Sequence, residues 1–333
     1  MPDWLIYTGE DDPHDRVTDL PDPPPWRRFT GGPALPVPSD RAGDDHQALS
    51  YRPAESAVEQ VNAALYLRRP LLVSGPPGTG KSTLARSVAR ELRLGPVLHW
   101  PITSRTTLRD GLYHYDPLSR LQAAARYDGG PVPDEDVGRY IRLGPLGTAL
   151  LPYGRPRVLL IDEIDKGDLD LPNDLLSIFE TGEYEVTELA RAAMAGEAGP
   201  REVMTADEGG RVALPVTGRV RCRAFPLVIM TSNGEREFPP AFLRRCVTLR
   251  LRQPDEAALR AIVRAHLGDL ADASDDLIRM FLERENEGLL ATDQLLHAVY
   301  LTQAAATKGP VDRLTLARRI MPHLSGGPRD DDD

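Results

Sequence analysis

Residues Gly75, Pro76, Pro77, Gly78, Thr79, Gly80, Lys81 and Ser82 follow the pattern glycine, four residues, Gly-Lys-Ser/Thr without a mismatch. The pattern carries meaning only between a strand and a helix. An apolar run over 70–74 supplies the strand and helical character over 81–92 supplies the helix. The glycines let successive backbone N–H groups converge on phosphate oxygens where a Cβ would clash. The positive end of the following helix favours the anion. In such a loop Lys81 reaches the β and γ phosphates and Ser82 holds Mg²⁺, with Thr83 completing the phosphate-binding set. A chain built around this loop is committed to an α/β sheet.

Composition sets the outer limits. The 333 residues suffice for one large α/β domain and a smaller one. A formal charge of −10 argues against a dedicated nucleic-acid binder. The basic clusters Arg219-Val220-Arg221-Cys222-Arg223 and Arg244-Arg245 read as strand-face charges and active-site arginines. Cys222 and Cys246 lack the spacing of a zinc site, and two thiols fit a reducing cytoplasm. Met1-Pro2-Asp3-Trp4 lacks the basic start of a secretory signal, and no apolar run reaches the length of a membrane span. A soluble cytoplasmic protein is expected.

Four segments are expected along the chain. Residues 1–48 are rich in proline and aspartate, which favours extended backbone over a packed unit. They read either as a flexible or surface-draped arm, or as a docking peptide with Trp4, Trp26 and Phe29 as anchors in a partner or neighbouring subunit. Residues 49–253 alternate strands and helices, the pattern of a parallel sheet covered on both faces, with an exposed Gly/Pro-rich insertion over 129–133. Within them 182–224 reads as a hairpin insertion in which 184–186 pairs with 212–216. Residues 254–323 are helical throughout. Their stripes are Leu259, Ile262, Val263 and Leu267; Leu277, Ile278, Phe281 and Leu282; and Leu295, Leu296, Val299 and Tyr300. The acidic end, 324–333, reads as a solvated, disordered tail.

Chemistry gathers after three predicted strands. Asp162 ends the apolar run over 157–161, where ligands of open α/β sheets bind, and is placed to hold Mg²⁺ through water. Glu163 is a second carboxylate able to orient and polarise a water for in-line attack on a γ-phosphate. Asn233, after Met230-Thr231-Ser232, can bridge that water and the phosphate, or simply open a turn before Gly234. Arg244 and Arg245 read as phosphate-stabilising arginines supplied across an interface, or as a surface pair.

The order of these motifs over about residues 50–306 resembles AAA+ ATPases, and within them the MoxR-like group of the dynein-related and McrB-like superclade. The resemblance rests on residues 75–82, on Leu159-Leu160-Ile161-Asp162-Glu163, on Thr231-Ser232-Asn233 and on 238–245, with Leu143-Gly144-Pro145-Leu146 ahead of the Asp-Glu strand. It implies an α/β core with a central parallel sheet flanked by helices, plus a small all-helical C-terminal lid. ATP and Mg²⁺ are the implied ligands, although the lack of an Asn-Lys-x-Asp motif prefers ATP only mildly. By the same resemblance Asn233 takes the sensor 1 position and Arg245 that of an arginine finger entering a neighbour's site. Arg244 stands where the family often has Asp, and Gln294 where it has the sensor 2 arginine. A neutral amide cannot make that charge-assisted bidentate contact. The implied role is a homo-oligomeric ring, usually a hexamer, that remodels or activates a client protein, often with a von Willebrand factor A-type partner. A low-turnover ATP-dependent switch and a nucleic-acid-linked restriction-type motor are the alternatives.

Overall fold

A computed structural model describes residues 4–10, 12–39, 46–125, 136–196, 198–285, 290–308 and 312–323. The insertion expected over 129–133 and the acidic tail expected over 324–333 lie outside the described residues.

In chain order, helices α1 (His46–Ser50) and α2 (Glu55–Leu67) precede strand β1 (Leu71–Ser74), which leads through the glycine loop into α3 (Lys81–Glu91). Then follow β2 (Leu98–Pro101), α4 (Leu108–Leu112), β3 (Tyr113–Tyr115), α5 (Pro117–Ala125), β4 (Ile141–Leu143) and α6 (Pro145–Ala149). Strand β5 (Val158–Asp162) and α7 (Leu171–Thr181) are followed by β6 (Glu183–Glu185), α8 (Thr187–Met194), β7 (Arg201–Met204), β8 (Arg211–Leu214) and β9 (Arg219–Arg221). Strand β10 (Leu227–Ser232), α9 (Pro240–Leu243) and β11 (Val247–Arg250) complete the α/β part.

Five of these strands form one parallel sheet in the order β11-β1-β10-β5-β2. Side chains alternate across a strand, so an unbroken apolar run must be covered on both faces. That is what β5 shows. Val158 and Leu160 enter a core with α2 and α3, while Leu159 and Ile161 enter a second core with α6 and α7. The expected central parallel sheet flanked by helices is therefore present.

The C-terminal part is helical: α10 (Glu256–Leu267), α11 (Asp275–Glu285), α12 (Thr292–Ala306) and α13 (Arg313–Ile320). Leu259, Val263, Leu277, Ile278, Phe281, Leu295 and Val299 close a core of their own. Tyr300 does not join it and is 62% exposed. One residue past Val299, it is turned about 100° away from the buried stripe.

The 182–224 insertion requires a correction. Strand β6 pairs with β9, placing buried Tyr184 opposite buried Val220, and β8 pairs with β7, not with 184–186. The nested β7–β8 hairpin turns through Gly209 at φ 64°, with Thr205 N–H donating to the Gly210 carbonyl (2.9 Å). Strand β7 buries only Val203, with Arg201 and Met204 half-buried and Glu202 exposed, so its sequence reads as loop. The hairpin tip is fastened to the main sheet by the fully buried Arg157, which donates to both oxygens of Asp207 (2.7 and 3.0 Å). Arg219 and Arg221 alternate with Val220 on the outer face of β9, and Arg221 pairs with Glu183.

The N-terminal stretch is draped over the domain, as one of its two readings expects, and is held there by buried residues that its composition does not announce. Its described part lies against its own domain, with Leu5, Ile6, Tyr7 and Val17 in the core beside α2 and α3. Asn62, fully buried on α2, accepts from Ile6 N–H (2.6 Å) and Tyr7 N–H (3.0 Å) and donates to Tyr7 C=O (2.7 Å). Extended backbone gains no internal hydrogen bonds, so its amides need such partners when buried. Arg27 is buried too, donating to the carbonyls of Phe179 and Arg68, and Phe29 stacks on Phe225 at 5.2 Å. Phe29 is thus an anchor within the chain. Trp26 stays outside.

Replacing Asn62 by Ala leaves buried strap amides without partners. Asn62→Ala is expected to lower unfolding stability by about 3 kcal/mol, and to make the stretch before Pro53 the first site of limited proteolysis. Equal protease resistance in the variant and the parent would contradict this anchoring.

Candidate functional site

Strands β1, β10 and β5 lie side by side and parallel, so their carboxyl ends deliver Ser74, Ser232 and Asp162 to one edge. The glycine loop leaves that edge. Gly75, Gly78 and Gly80 all have positive φ (156°, 74° and 81°), which side chains rarely adopt. Space excludes side chains as well. A Cβ on Gly75 would lie 2.6 Å from the Leu251 carbonyl oxygen, and one on Gly78 would lie 2.7 Å from Ala291 Cβ.

Lys81 opens α3 and is only 8% exposed. Its ammonium donates to the carbonyls of Gly75 (2.8 Å) and Pro76 (2.7 Å), folded back on the loop. Burial pulls its pKa down, opposed by the carboxylates of Asp165, Asp162 and Glu163. Thr79 Oγ1 closes the loop on Pro76 C=O (2.9 Å). Pro76 and Pro77 remove two donors and stiffen the turn.

Asp162 is the hub. Its Oδ1 accepts from Ser82 Oγ (2.8 Å) and Thr231 Oγ1 (2.6 Å), and its Oδ2 lies 3.3 Å from His99 Nε2. Burial alone raises a carboxyl pKa, but the hydrogen bonds from Thr231, Ser82 and His99 together hold Asp162 below its ordinary value. A carboxylate that stays ionised beside a hydroxyl at a helix N-terminus is the donor set a hard, oxygen-loving cation takes. Ser82 and Asp162 therefore fit Mg²⁺, and the loop cradle fits a phosphate.

Glu163 follows in the left-handed region (φ 59°, ψ 49°), an uncommon conformation for a non-glycine residue and one found at functional sites. Its N–H is held by Thr231 Oγ1 (2.9 Å), which fixes the turn. Its carboxylate accepts from Lys166 Nζ (2.8 Å) and Asn233 Nδ2 (3.4 Å). Asn233 and Glu163 are thus brought together at the loop's edge of the sheet.

Arg244 and Arg245 are not. They end α9 just before β11, and Val247 N–H bonds the Pro70 carbonyl that precedes β1. Both arginines therefore stand at the amino ends of the strands, roughly 13 Å or more from their own loop across the length of β1. Arg244 is exposed. Arg245 pairs with Glu180 and donates to the Ala241 carbonyl (3.0 Å).

Gln294 also has other business. Its Oε1 accepts from Ala291 N–H (2.9 Å) and its Nε2 donates to the Pro322 carbonyl (2.9 Å). The residue of α12 nearest the loop is Thr292, whose N would lie 2.7 Å from a Gly78 Cβ. Thr292 is 5% exposed, and its buried hydroxyl has no hydrogen-bond partner among the described residues.

Sequence reasoning missed Asp165, Thr231, His99 and Thr292. Asp165 Oδ2 accepts from Ser232 Oγ (2.9 Å), Asn233 N–H (2.9 Å) and Glu235 N–H (3.2 Å), setting where Asn233 stands. Its signal was a carboxylate after Ile164, in a turn already rich in acids. Thr231 shared a motif with Asn233 but carried no mark of its own.

Cys222 and Cys246 are free and buried, and burial pushes each thiol up to about 12. Among the described residues no helix is long and apolar enough to cross a membrane.

Two curated proteins show how far likeness to known proteins extends. The large subunit of replication factor C from Pyrobaculum arsenaticum is 28% identical over 232 residues, covering 68% of this chain and 42% of that protein. An ATP-dependent protease ATP-binding subunit-like protein from Rhodococcus erythropolis is 30% identical over 118 residues, 35% of this chain and 30% of that protein. The chain thus spans less than half the length of these relatives. The phosphate loop, both carboxylates and every strand of the parallel sheet except β11 fall within residues 70–246, more than half of the 333, which match the AAA domain of the dynein-related subfamily. The chain belongs to the AAA family, in its dynein-related subfamily.

Proposed function

We propose that this chain is an ATP hydrolase whose active centre is shared between neighbouring copies in a ring, and that the ring remodels or activates a partner protein. AAA domains generally bind ATP, typically with Mg²⁺, and oligomerise. The observation that carries the reading is the separation of two sets of groups. Lys81, Ser82, Asp162, Glu163 and Asn233 gather at one edge of the sheet, and Arg245 stands at the other.

In this reading the loop amides of residues 75–82 and Lys81 hold the phosphates, with Thr83 on the first turn of α3. Ser82 and Asp162 hold Mg²⁺, which when bound neutralises charge on the phosphates. Glu163 orients and polarises the attacking water. Asn233, bonded to the Glu163 carboxylate, positions it. Arg245 of the adjacent copy meets the charge that spreads over the transferring phosphoryl group. Arg244, exposed at the same end, serves the contact between copies.

A MoxR-like assignment, a hexameric ring and a von Willebrand factor A-type client follow from the motif resemblance and are the working form of the proposal. The placement of Gln294 favours one second reading, an ATP-dependent switch of low turnover. Its amide is spent on capping α12 and on Pro322, so α12 offers no cation at this position to the phosphates. A replication-linked motor, suggested by the name of the archaeal relative, is opposed by the charge of −10. Stimulation of ATP turnover by DNA would favour it.

Glu163→Gln keeps size and hydrogen bonding but removes the base. It is expected to bind ATP at near parental affinity while turnover falls about 100-fold or more; unchanged turnover refutes the assignment. Mixing Glu163→Gln with Arg245→Ala subunits, each inactive alone, is expected to restore part of the activity, because some junctions then pair an intact loop with an intact arginine. No recovery at any mixing ratio contradicts a shared site.

A further inference from the structure

Of the two tryptophans the described N-terminal strap leaves exposed, Trp4 packs edge-on against Tyr66 at 42% exposure, and Trp26 stands further out, 76% exposed. Its neighbours make that exposure rigid. Pro24 and Pro25 restrict the backbone before it, Arg27 N–H bonds the Pro24 carbonyl (2.7 Å), and Arg27 itself is buried against Phe225, its guanidinium 4.5 Å from the ring centroid. Free rotation of the segment is therefore already lost in the isolated chain.

The place where Trp26 is held matters more than its exposure. It lines a cavity of about 340 Å³ together with Arg69, Glu180, Arg245 and Cys246. A strap that begins on α2 and α3 thus brings an exposed indole to the face from which Arg245 projects. Pre-ordered aromatics beside an arginine are the side chains that concentrate binding energy at interfaces.

We infer that Trp26 is the apolar anchor by which one copy of this chain seats Arg245 in the nucleotide site of the next. The inference rests on the shared-site reading above, and names the surface that makes it work. The occupant is a second copy because the two faces are complementary. Arg27, Arg69 and Arg245 outnumber Glu180 around Trp26, while Asp162, Glu163, Asp165, Asp168 and Glu235 outnumber Lys81, Lys166 and Arg236 at the opposite edge beside Asn233. The two faces lie at opposite ends of the same strands, so the contact is head to tail, the geometry that closes into rings. In the isolated chain Glu180 holds Arg245, and seating against a neighbour exchanges that partner for phosphate.

The test is sedimentation velocity of the full chain with ATP and Mg²⁺ over a concentration series, with turnover measured on the same samples. Trp26→Ala removes no core contact and is expected to move the self-association midpoint about tenfold or more to higher concentration. Its turnover should recover at high protein. Trp26→Phe is expected to stay near the parent. Arg245→Ala is expected to lose turnover yet assemble. A parental midpoint in Trp26→Ala overturns the anchor and leaves the shared site standing. A parent chain that stays monomeric with ATP at every concentration while turning it over overturns the shared site itself, and the anchor with it.

Discussion

One oxygen of Asp162 accepts hydrogen bonds from Ser82 on α3 and Thr231 on β10, and its other oxygen faces His99 on β2. Three neighbouring elements are thereby tied to the carboxylate that ends β5, at the edge where the loop begins. Hydrogen bonds to an ionised acceptor are about twice as strong as neutral ones, and half-burial protects them from water. The same contacts keep the carboxyl ionised. Thr231 then serves twice, because it also accepts the Glu163 N–H and so holds that residue in its left-handed turn. The candidate metal-binding pair and the candidate base take their positions from this knot.

Around it the chain divides labour between its two ends. The parallel sheet sends every carboxyl end to the nucleotide edge and every amino end away from it, so a residue just before β11 cannot act on its own loop. That constraint is topological and no side-chain rearrangement relieves it. The lid meets the loop differently from the arrangement its motif resemblance implies. The start of α12 sits so close to Gly78 that a methyl group there would not fit, with Ala291 Cβ and the Thr292 backbone nitrogen as its nearest atoms. Motion of α12 can therefore be felt at the loop through backbone contact, without a cation.

Much of this was legible in the sequence, and the rest was not, for definite reasons. Residues 75–82 and the acidic pair after β5 announce themselves because phosphate and metal chemistry demand fixed residue types at fixed spacing. Unbroken apolar strands likewise declare a sheet buried on both faces. Partner choice among short strands is not encoded that way. Strands β6 and β9 bury one side chain each and lie far apart in sequence, so the false partner over 212–216 looked equally good. How firmly the strap is held is not legible, because proline and aspartate dominate its composition while a few residues, Ile6, Tyr7, Arg27 and Phe29, fasten it. Those few are satisfied by Asn62, Phe179 and Phe225, which no local pattern connects to them.

The central claim is that an active centre is assembled from two copies. The most direct measurement is an electron cryomicroscopy structure of the Glu163→Gln chain with ATP and Mg²⁺. Arg245 of one copy is expected within hydrogen-bond distance of the γ-phosphate held by another copy's Lys81 loop, and released from Glu180. A γ-phosphate met only by groups of its own chain, with Arg245 still paired to Glu180, would contradict it.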